Sequence, residues 1–253
     1  MLPDVYVRSI LAKYDLPGGE GSPAELAATE LRNPITEWAG RFLLGIGFCG
    51  SYAKGTRIRG AADVDVLISL GPRTPLDVDK LYDRFFEFLK RRDHNPRRKS
   101  VSVGLTYHGL EVDLTPAKQE WGGSNDHRIF ETEHRRITRT NFDTHLQVVR
   151  ESGAIEEIRL LKIWRTLRNL RLPSFCLELA VMDALRRHAR HELAANMEVV
   201  LQYLKDVLPG APIRDPANFE NIVSDDLLKH EKLAISEAAA ESLKQTNWAK
   251  IVW

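Results

Sequence analysis

Apolar positions along this chain follow two rhythms. Up to about residue 115, helical spacing alternates with short strand-like runs; beyond about residue 145, helical spacing prevails. Residues 4–15 read as a short amphipathic helix carrying Val5, Val7, Ile10 and Leu11. The stretch from Pro17 to Pro23, with three glycines, predicts a flexible break. Ser22 followed by Pro23 is the order a helix start prefers, and predicts a helix to about residue 43 that Pro34 bends. Gly45–Cys49 predicts a short strand, and Val64–Ile68 a second. Residues 76–92 form a predicted helix with Leu76, Leu81, Phe85, Phe88 and Leu89 on one face. Val101, Val103, Leu105 and Tyr107 then alternate with smaller or polar neighbours. His108-Gly109 turns the chain and Leu110–Leu114 returns it, a hairpin pattern that Pro116 is expected to end. Residues 117–138 are polar and predict a loop. Three helical patterns follow. The first, over 151–170, carries Ile155, Ile158, Leu161, Trp164, Leu167 and Leu170. The second opens at Pro173 and runs from Cys176 to about His191, and the third spans about 226–246. The chain has no internal repeat and no low-complexity segment.

Composition narrows the class. A chain of 253 residues that is 43% hydrophobic can bury a sizeable core, as one domain with two lobes or as two small domains. A net charge of +1 confines any nucleic-acid surface to a local patch. Arg91, Arg92, Arg97, Arg98 and Lys99 are such a cluster, read either as a solvated loop or as an edge facing phosphate or RNA. The two cysteines, Cys49 and Cys176, sit in apolar contexts and predict buried free thiols in a reducing cytosol. The first residues lack the basic-then-apolar pattern of a secretory leader, and no apolar run approaches membrane length. The expectation is a cytoplasmic protein with no membrane partner. No cysteine–histidine spacing suggests zinc, although His188 and His191, three apart on a predicted helix, could share a ligand.

The chemistry concentrates in Phe48-Cys49-Gly50-Ser51-Tyr52-Ala53-Lys54-Gly55-Thr56 and in Ala62-Asp63-Val64-Asp65-Val66-Leu67-Ile68. Asp63 and Asp65 alternate with Val64 and Val66, so on a strand their carboxylates share a face. Two such carboxylates repel each other unless a cation lies between them, and oxygen donors favour a hard ion such as Mg²⁺. Gly50 would let backbone approach a phosphate, and the Ser51 hydroxyl could bond its oxygens. Taken alone, Gly50-Ser51 is also a common turn and Asp-x-Asp a common solvated strand end. An EF-hand loop is excluded, because Leu67 and Ile68 stand where a ligand and a glycine are required. On the returning strand of the hairpin, Glu111 and Asp113 lie opposite the Leu110, Val112 and Leu114 face. If that strand lies beside the Asp63 strand, Asp113 becomes a third carboxylate of one cluster.

These residues resemble the polymerase-β-type nucleotidyltransferase superfamily, and the run from Gly50 to Leu70 resembles its branch of oligoadenylate synthetases, cyclic GMP-AMP synthase and the bacterial synthases of cyclic oligonucleotide signals. Thr140-Asn141-Phe142-Asp143-Thr144-His145 is similar to that branch's Thr-Asn-Pro-x-x-His element, with Phe142 in place of proline. Residues 172–185 and the segment Ile213–Val223 are similar to later parts of the branch. The resemblance implies an α+β fold: a polymerase-β-like mixed sheet with helices as the catalytic lobe, residues 1–148, and a helical C-terminal lobe, residues 149–253, with the nucleotide in the cleft between them. It implies two Mg²⁺ (or Mn²⁺) ions held by Asp63, Asp65 and Asp113 as catalytic residues. Nucleotide phosphates would rest on Gly50 and Ser51, and the nucleotide tail would meet Lys162, with Arg159, Arg165 and Arg168 beside it. Trp121 could stack on a base.

The implied activity is metal-dependent transfer from nucleoside triphosphates into a cyclic or short linear oligonucleotide messenger, in bacterial antiviral defence, with an RNA or a protein as activator. Two alternatives stand beside it. One is extension of an RNA, as in tRNA 3′-end addition. The other is an inactive nucleotide-binding scaffold, which would have no need of mutually repelling acids on one face.

Overall fold

The structure is a computed structural model that describes residues 2–16, 21–61, 63–188 and 192–253. Most of the expected break at 17–23, together with Ala62 and His191, therefore lies outside the described residues. In chain order the elements are α1 (Pro3–Lys13), α2 (Pro23–Ala39), β1 (Leu43–Phe48), α3 (Gly50–Lys54), β2 (Val64–Leu70), α4 (Val78–Lys90), β3 (Arg97–Arg98), β4 (Val103–Tyr107), β5 (Leu110–Gln119), β6 (His127–Glu131) and β7 (Arg136–Thr140). They continue with α5 (Phe142–Glu151), α6 (Ile155–Leu167), α7 (Ser174–Leu185), α8 (Leu193–Asp206), β8 (Arg214–Asp215), β9 (Asn218–Ile222) and α9 (Lys229–Leu243). No helix among the described residues is long and apolar enough to cross a membrane.

The chain divides into two compact units that are not contiguous in sequence. A sheet unit holds Pro17–Lys54 and Ala62–Leu146; a helical unit holds Met1–Leu16, Gly55–Ala61 and Gln147–Trp253. The expectation of one boundary after residue 148 did not anticipate the two early segments in the helical unit. They sit there because Val7, Ile10, Leu11 and Ile58 are buried in the same apolar cluster as Trp164, Leu177 and Met197.

In the sheet unit the strand order is β1-β2-β5-β4-β3, with β6 joining β5 and β7 joining β6. Strands β2 and β5 run parallel, and the other pairs of this sheet are antiparallel. Burial alternates along β2: Val64, Val66, Ile68 and Leu70 are buried on one face, and Asp65, Leu67 and Ser69 take the other. The buried face packs under α2 and α4 through Leu31, Ile35, Leu81, Phe85 and Leu89. Helix α2 begins as the sequence predicts, with the Ser22 hydroxyl accepting the Glu25 N–H (3.3 Å) ahead of Pro23. It carries Pro34 inside and stops at Gly40, whose φ of +54° closes it before β1 starts at Leu43.

Two expectations for this unit are corrected. Pro116 does not end β5, which continues to Gln119 alongside β2. The β4 ladder stops at Leu114 and the β6 ladder starts at Lys118, so one flank of β5 is bare at Pro116, where a missing N–H is tolerated. Residues 117–138 are not simply a loop either, since β6 and β7 form a hairpin there. Arg136 and Arg139 make β7 read as polar, and it is a charged edge strand.

The helical unit buries Ile158, Leu161, Trp164, Leu177, Val181, Met197, Val200 and Leu201 in one cluster. The single helix predicted over 151–170 starts at Ile155 and follows a separate α5, because Gly153 takes a φ of +66° between them. Asn141 caps α5: its Oδ1 accepts the Thr144 N–H (3.0 Å) and its Nδ2 donates to Asp126 (2.9 Å). The segment Ile213–Val223 contains the β8–β9 hairpin, where the Asp215 carboxylate accepts the Ala217 N–H (2.8 Å).

Candidate active site

The edge of β2 and its two neighbours assemble the expected residues. The parallel register sets Asp65 opposite Asp113, with Val64 opposite Val112 and Val66 opposite Leu114. Because both strands bury their valine and leucine face, both aspartates emerge on the other side of the sheet. The expected neighbourhood of the two strands is therefore present. Asp63 precedes β2, and its side chain is half exposed.

Between β1 and α3 the chain turns at Gly50 with φ +57°. The turn lies against β2: the Cys49 N–H bonds the Asp65 carbonyl (2.9 Å), and the Ser51 backbone N–H bonds the Asp65 carboxylate. A Cβ on Gly50 would overlap the Asp65 carboxylate and stand 2.8 Å from the Asp65 Cβ. Gly50 is thus where it is because the backbone passes over an acid side chain at a positive φ. With the Ser51 N–H given to Asp65, the Ser51 hydroxyl is the side-chain group that could meet a phosphate.

Burial pushes the Asp65 carboxyl up to about 6; the nearby Asp113 and Asp63 add to this, and Lys54 acts against it. Burial also raises the Asp113 carboxyl, against the pull of Lys99. Asp113 Oδ2 accepts a hydrogen bond from Lys99 Nζ (3.0 Å). Its Oδ1 lies 2.8 Å from the same nitrogen without hydrogen-bond geometry and is buried with no bonded partner. The same ammonium reaches Asp63 Oδ2 at 3.3 Å. A buried carboxylate oxygen that makes no hydrogen bond, set within three repelling acids, suits a hard cation. As they stand, no three such side chains among the described residues are gathered tightly enough to hold one, and a lysine ammonium lies between two of them.

Other sequence-predicted residues take different places. Lys162 is buried in the helical unit, with its ammonium on Glu178 (2.7 Å) and on the Thr56 hydroxyl (2.8 Å). Contact with a nucleotide tail would require its release from that pair. Arg159 pairs with Asp15 (2.7 Å), and Arg165 and Arg168 donate to the carbonyls of Leu172 (2.7 Å) and Ile251 (2.6 Å). Of the basic run 91–99, Arg92 pairs with Glu37, Arg97 with Glu111 and Arg98 with Asp83, so these arginines are matched by carboxylates. Trp121 is exposed, with the Arg139 guanidinium 5.5 Å from its ring. Cys49 and Cys176 are buried free thiols, both raised by burial, Cys176 to about 12.

Three features escaped the sequence reading. Lys99 was legible only as one cation of a basic run. The buried His127, whose Nε2 is 2.7 Å from the Ser69 hydroxyl, carried no signal. Glu178 did carry one, since an acid inside the apolar run from Phe175 to Val181 implies a buried partner.

No family model matches the chain. It is 28% identical over 193 residues to the cyclic AMP-AMP-AMP synthase of Escherichia coli (strain MS 115-1); the match covers 68% of this chain and 59% of that relative's length. Among solved structures, E. coli MS115-1 CdnC in complex with HORMA-deltaN superposes with a TM-score of 0.77 at 19% identity, covering 96% of this chain and 90% of that one. The Bradyrhizobium diazoefficiens CD-NTase CdnG in complex with GTP superposes with a TM-score of 0.77 at 14% identity, covering 98% and 94%. The fold is therefore that of the polymerase-β-type nucleotidyltransferases, and the resemblance to the branch of cyclic-oligonucleotide synthases is borne out.

Proposed function

We propose that this chain, with a polymerase-β-type nucleotidyltransferase fold and a cyclic AMP-AMP-AMP synthase among its relatives, joins nucleoside triphosphates into a short, cyclic oligonucleotide. One observation carries the reading: β2 and β5 set Asp65 beside Asp113 while Gly50 and Ser51 wrap the Asp65 carboxylate. A scaffold would gain nothing from setting two acids that repel each other side by side.

In this reading a ribose hydroxyl attacks the α-phosphorus of a second nucleotide, the new phosphodiester forms, and the bond to pyrophosphate breaks. Asp63, Asp65 and Asp113 would hold Mg²⁺ or Mn²⁺. Two such ions, when bound, supply the positive charge that the attacking and leaving oxygens need. Asp113, on the second strand, is the group that would take the hydroxyl proton. The Ser51 hydroxyl, at the turn, would bond a phosphate oxygen. An RNA or a protein would serve as activator; the complex of CdnC with HORMA-deltaN supports the second kind. Free, buried thiols suit a cytoplasmic enzyme, and a role in antiviral defence accords with a messenger product.

The test is to incubate the protein with four labelled ribonucleoside triphosphates and Mg²⁺ or Mn²⁺, with and without RNA, beside Asp63→Ala and Asp65→Ala. A phosphatase-resistant small product that both variants lack is expected. Full activity in a folded Asp65→Ala protein would sink the assignment, and label found only on the RNA would replace it with RNA extension.

A further inference from the structure

Lys99 lies just after β3, and its backbone is fixed on every side. Its N–H donates to the Ser102 carbonyl (3.0 Å), and its own carbonyl accepts from the Tyr82 hydroxyl (3.2 Å) and the Thr132 hydroxyl (2.9 Å). From this anchored position the side chain runs over Gly104 on β4. A Cβ at Gly104 would stand 3.0 Å from Lys99 Cε and 3.3 Å from Asp113 Oδ1, closer than such contacts ordinarily come. Absence of a side chain at 104 thus opens a track for the lysine stem. The track ends at two acids: Nζ is 2.8 Å from Asp113 Oδ1, 3.0 Å from Oδ2 and 3.3 Å from Asp63 Oδ2.

We infer that Lys99 is a resident counter-ion of the carboxylate cluster, which steadies Asp63 and Asp113 when no divalent ion is bound and must withdraw when one binds. The inference rests on reading Asp63, Asp65 and Asp113 as the metal ligands. An ammonium and a divalent cation compete for the same carboxylate oxygens, so Lys99 weakens ion binding while it keeps the acids from pushing each other apart. Its flexible four-carbon stem lets the charge move aside without moving the anchored backbone. Lys99 is in this sense a positioning residue with a cost in metal affinity, and it raises the ion concentration at which the site fills.

The sign of this effect separates it from a structural role. Damage to the site would weaken ion binding, whereas removal of a competing cation tightens it. Mn²⁺ would be titrated into the nucleotide-free protein, with free ion followed by electron paramagnetic resonance. The proteins compared are the natural chain, Lys99→Met, Lys99→Gln, Lys99→Arg and Asp65→Asn. Lys99→Met and Lys99→Gln should each tighten Mn²⁺ binding by about tenfold, and Lys99→Arg, which keeps the charge, should not. Should Lys99→Met fail to fold, Lys99→Gln keeps the comparison. Binding that Asp65→Asn abolishes but that neutral substitutions at 99 leave unchanged or weaken would overturn the counter-ion and spare the metal site. Mn²⁺ binding absent from every protein, or indifferent to Asp65→Asn, would overturn both.

Discussion

Gly50 passes so close to Asp65 that no side chain fits between them: an added Cβ would overlap the Asp65 carboxylate. The φ of +57° at Gly50 adds a second reason for glycine. The turn and the acid are therefore one construction, in which the Ser51 N–H also fixes the carboxylate. Gly50→Ala must either flatten the turn or turn Asp65 out of place. It should lower stability by about 1–3 kcal/mol and transfer activity by about a hundredfold or more, the cost of a misplaced catalytic group. Denaturant unfolding and product formation from labelled nucleotides measure the two, and a folded Gly50→Ala protein with full activity would contradict the close-packed arrangement.

Asp65 is half-buried beside Asp113, with its carboxyl pushed up to about 6. At neutral pH without divalent ions, the fold therefore carries an unfavourable charge. Asp65→Asn keeps the shape and removes that charge. It should abolish transfer and raise the unfolding free energy of the ion-free protein by about 1–2 kcal/mol. Calorimetry in the presence of a chelator reads the difference, and a destabilised variant would mean that the carboxylate is better compensated than the geometry indicates.

Much of this site was legible in the chain. Gly50, Ser51, Asp63 and Asp65 lie within sixteen consecutive residues, where local order alone brings them near one another. Asp113 required the pairing of β2 with β5, which no local pattern states; the alternation of Glu111 and Asp113 against Val112 gave its face but not its neighbour. Lys99 was hidden because Arg97 and Arg98 share its charge, and only the track over Gly104 distinguishes it from them. For the fold, β7 was missed because charged side chains on an edge strand erase the apolar alternation, and β6 because only Ile129 and Phe130 of its five residues are apolar. The allotment of residues 1–16 and 55–61 to the helical unit depends on packing at long range, and Val7 and Ile58 look no different from the apolar residues of any short segment.

His127 joins β6 to β2 through Ser69, with Nδ1 held 3.0 Å from the Asn125 carbonyl. Burial lowers its affinity for a proton, although Asp143 and Asp126 pull the other way. A histidine whose folded value lies below the unfolded one contributes stability that is fully present above about pH 6.5 and is lost as pH falls through the shifted value. Because protonation of Asp65 near pH 6 acts in the opposite direction, the effect is read as a difference: the urea midpoint of the natural chain should fall relative to that of His127→Gln between pH 7.5 and pH 5.5. An equal slope in the variant would assign the acid sensitivity to other groups.

Lys162 and Glu178 form an ion pair with side chains only 4% and 2% exposed, and the Thr56 hydroxyl donates to the same carboxylate oxygen at 2.9 Å. Breaking such a pair from one side leaves a bare buried charge, whereas replacing both partners with apolar groups leaves none. Glu178→Ala should therefore cost about 3–5 kcal/mol of unfolding free energy, and Lys162→Met combined with Glu178→Leu much less than that. The double variant also decides what Lys162 is for. If the ammonium only balances Glu178, the double variant should keep the KM of the natural chain for nucleoside triphosphates. A KM raised about tenfold or more, with kcat preserved, would mean that Lys162 leaves Glu178 to meet the triphosphate when the nucleotide binds.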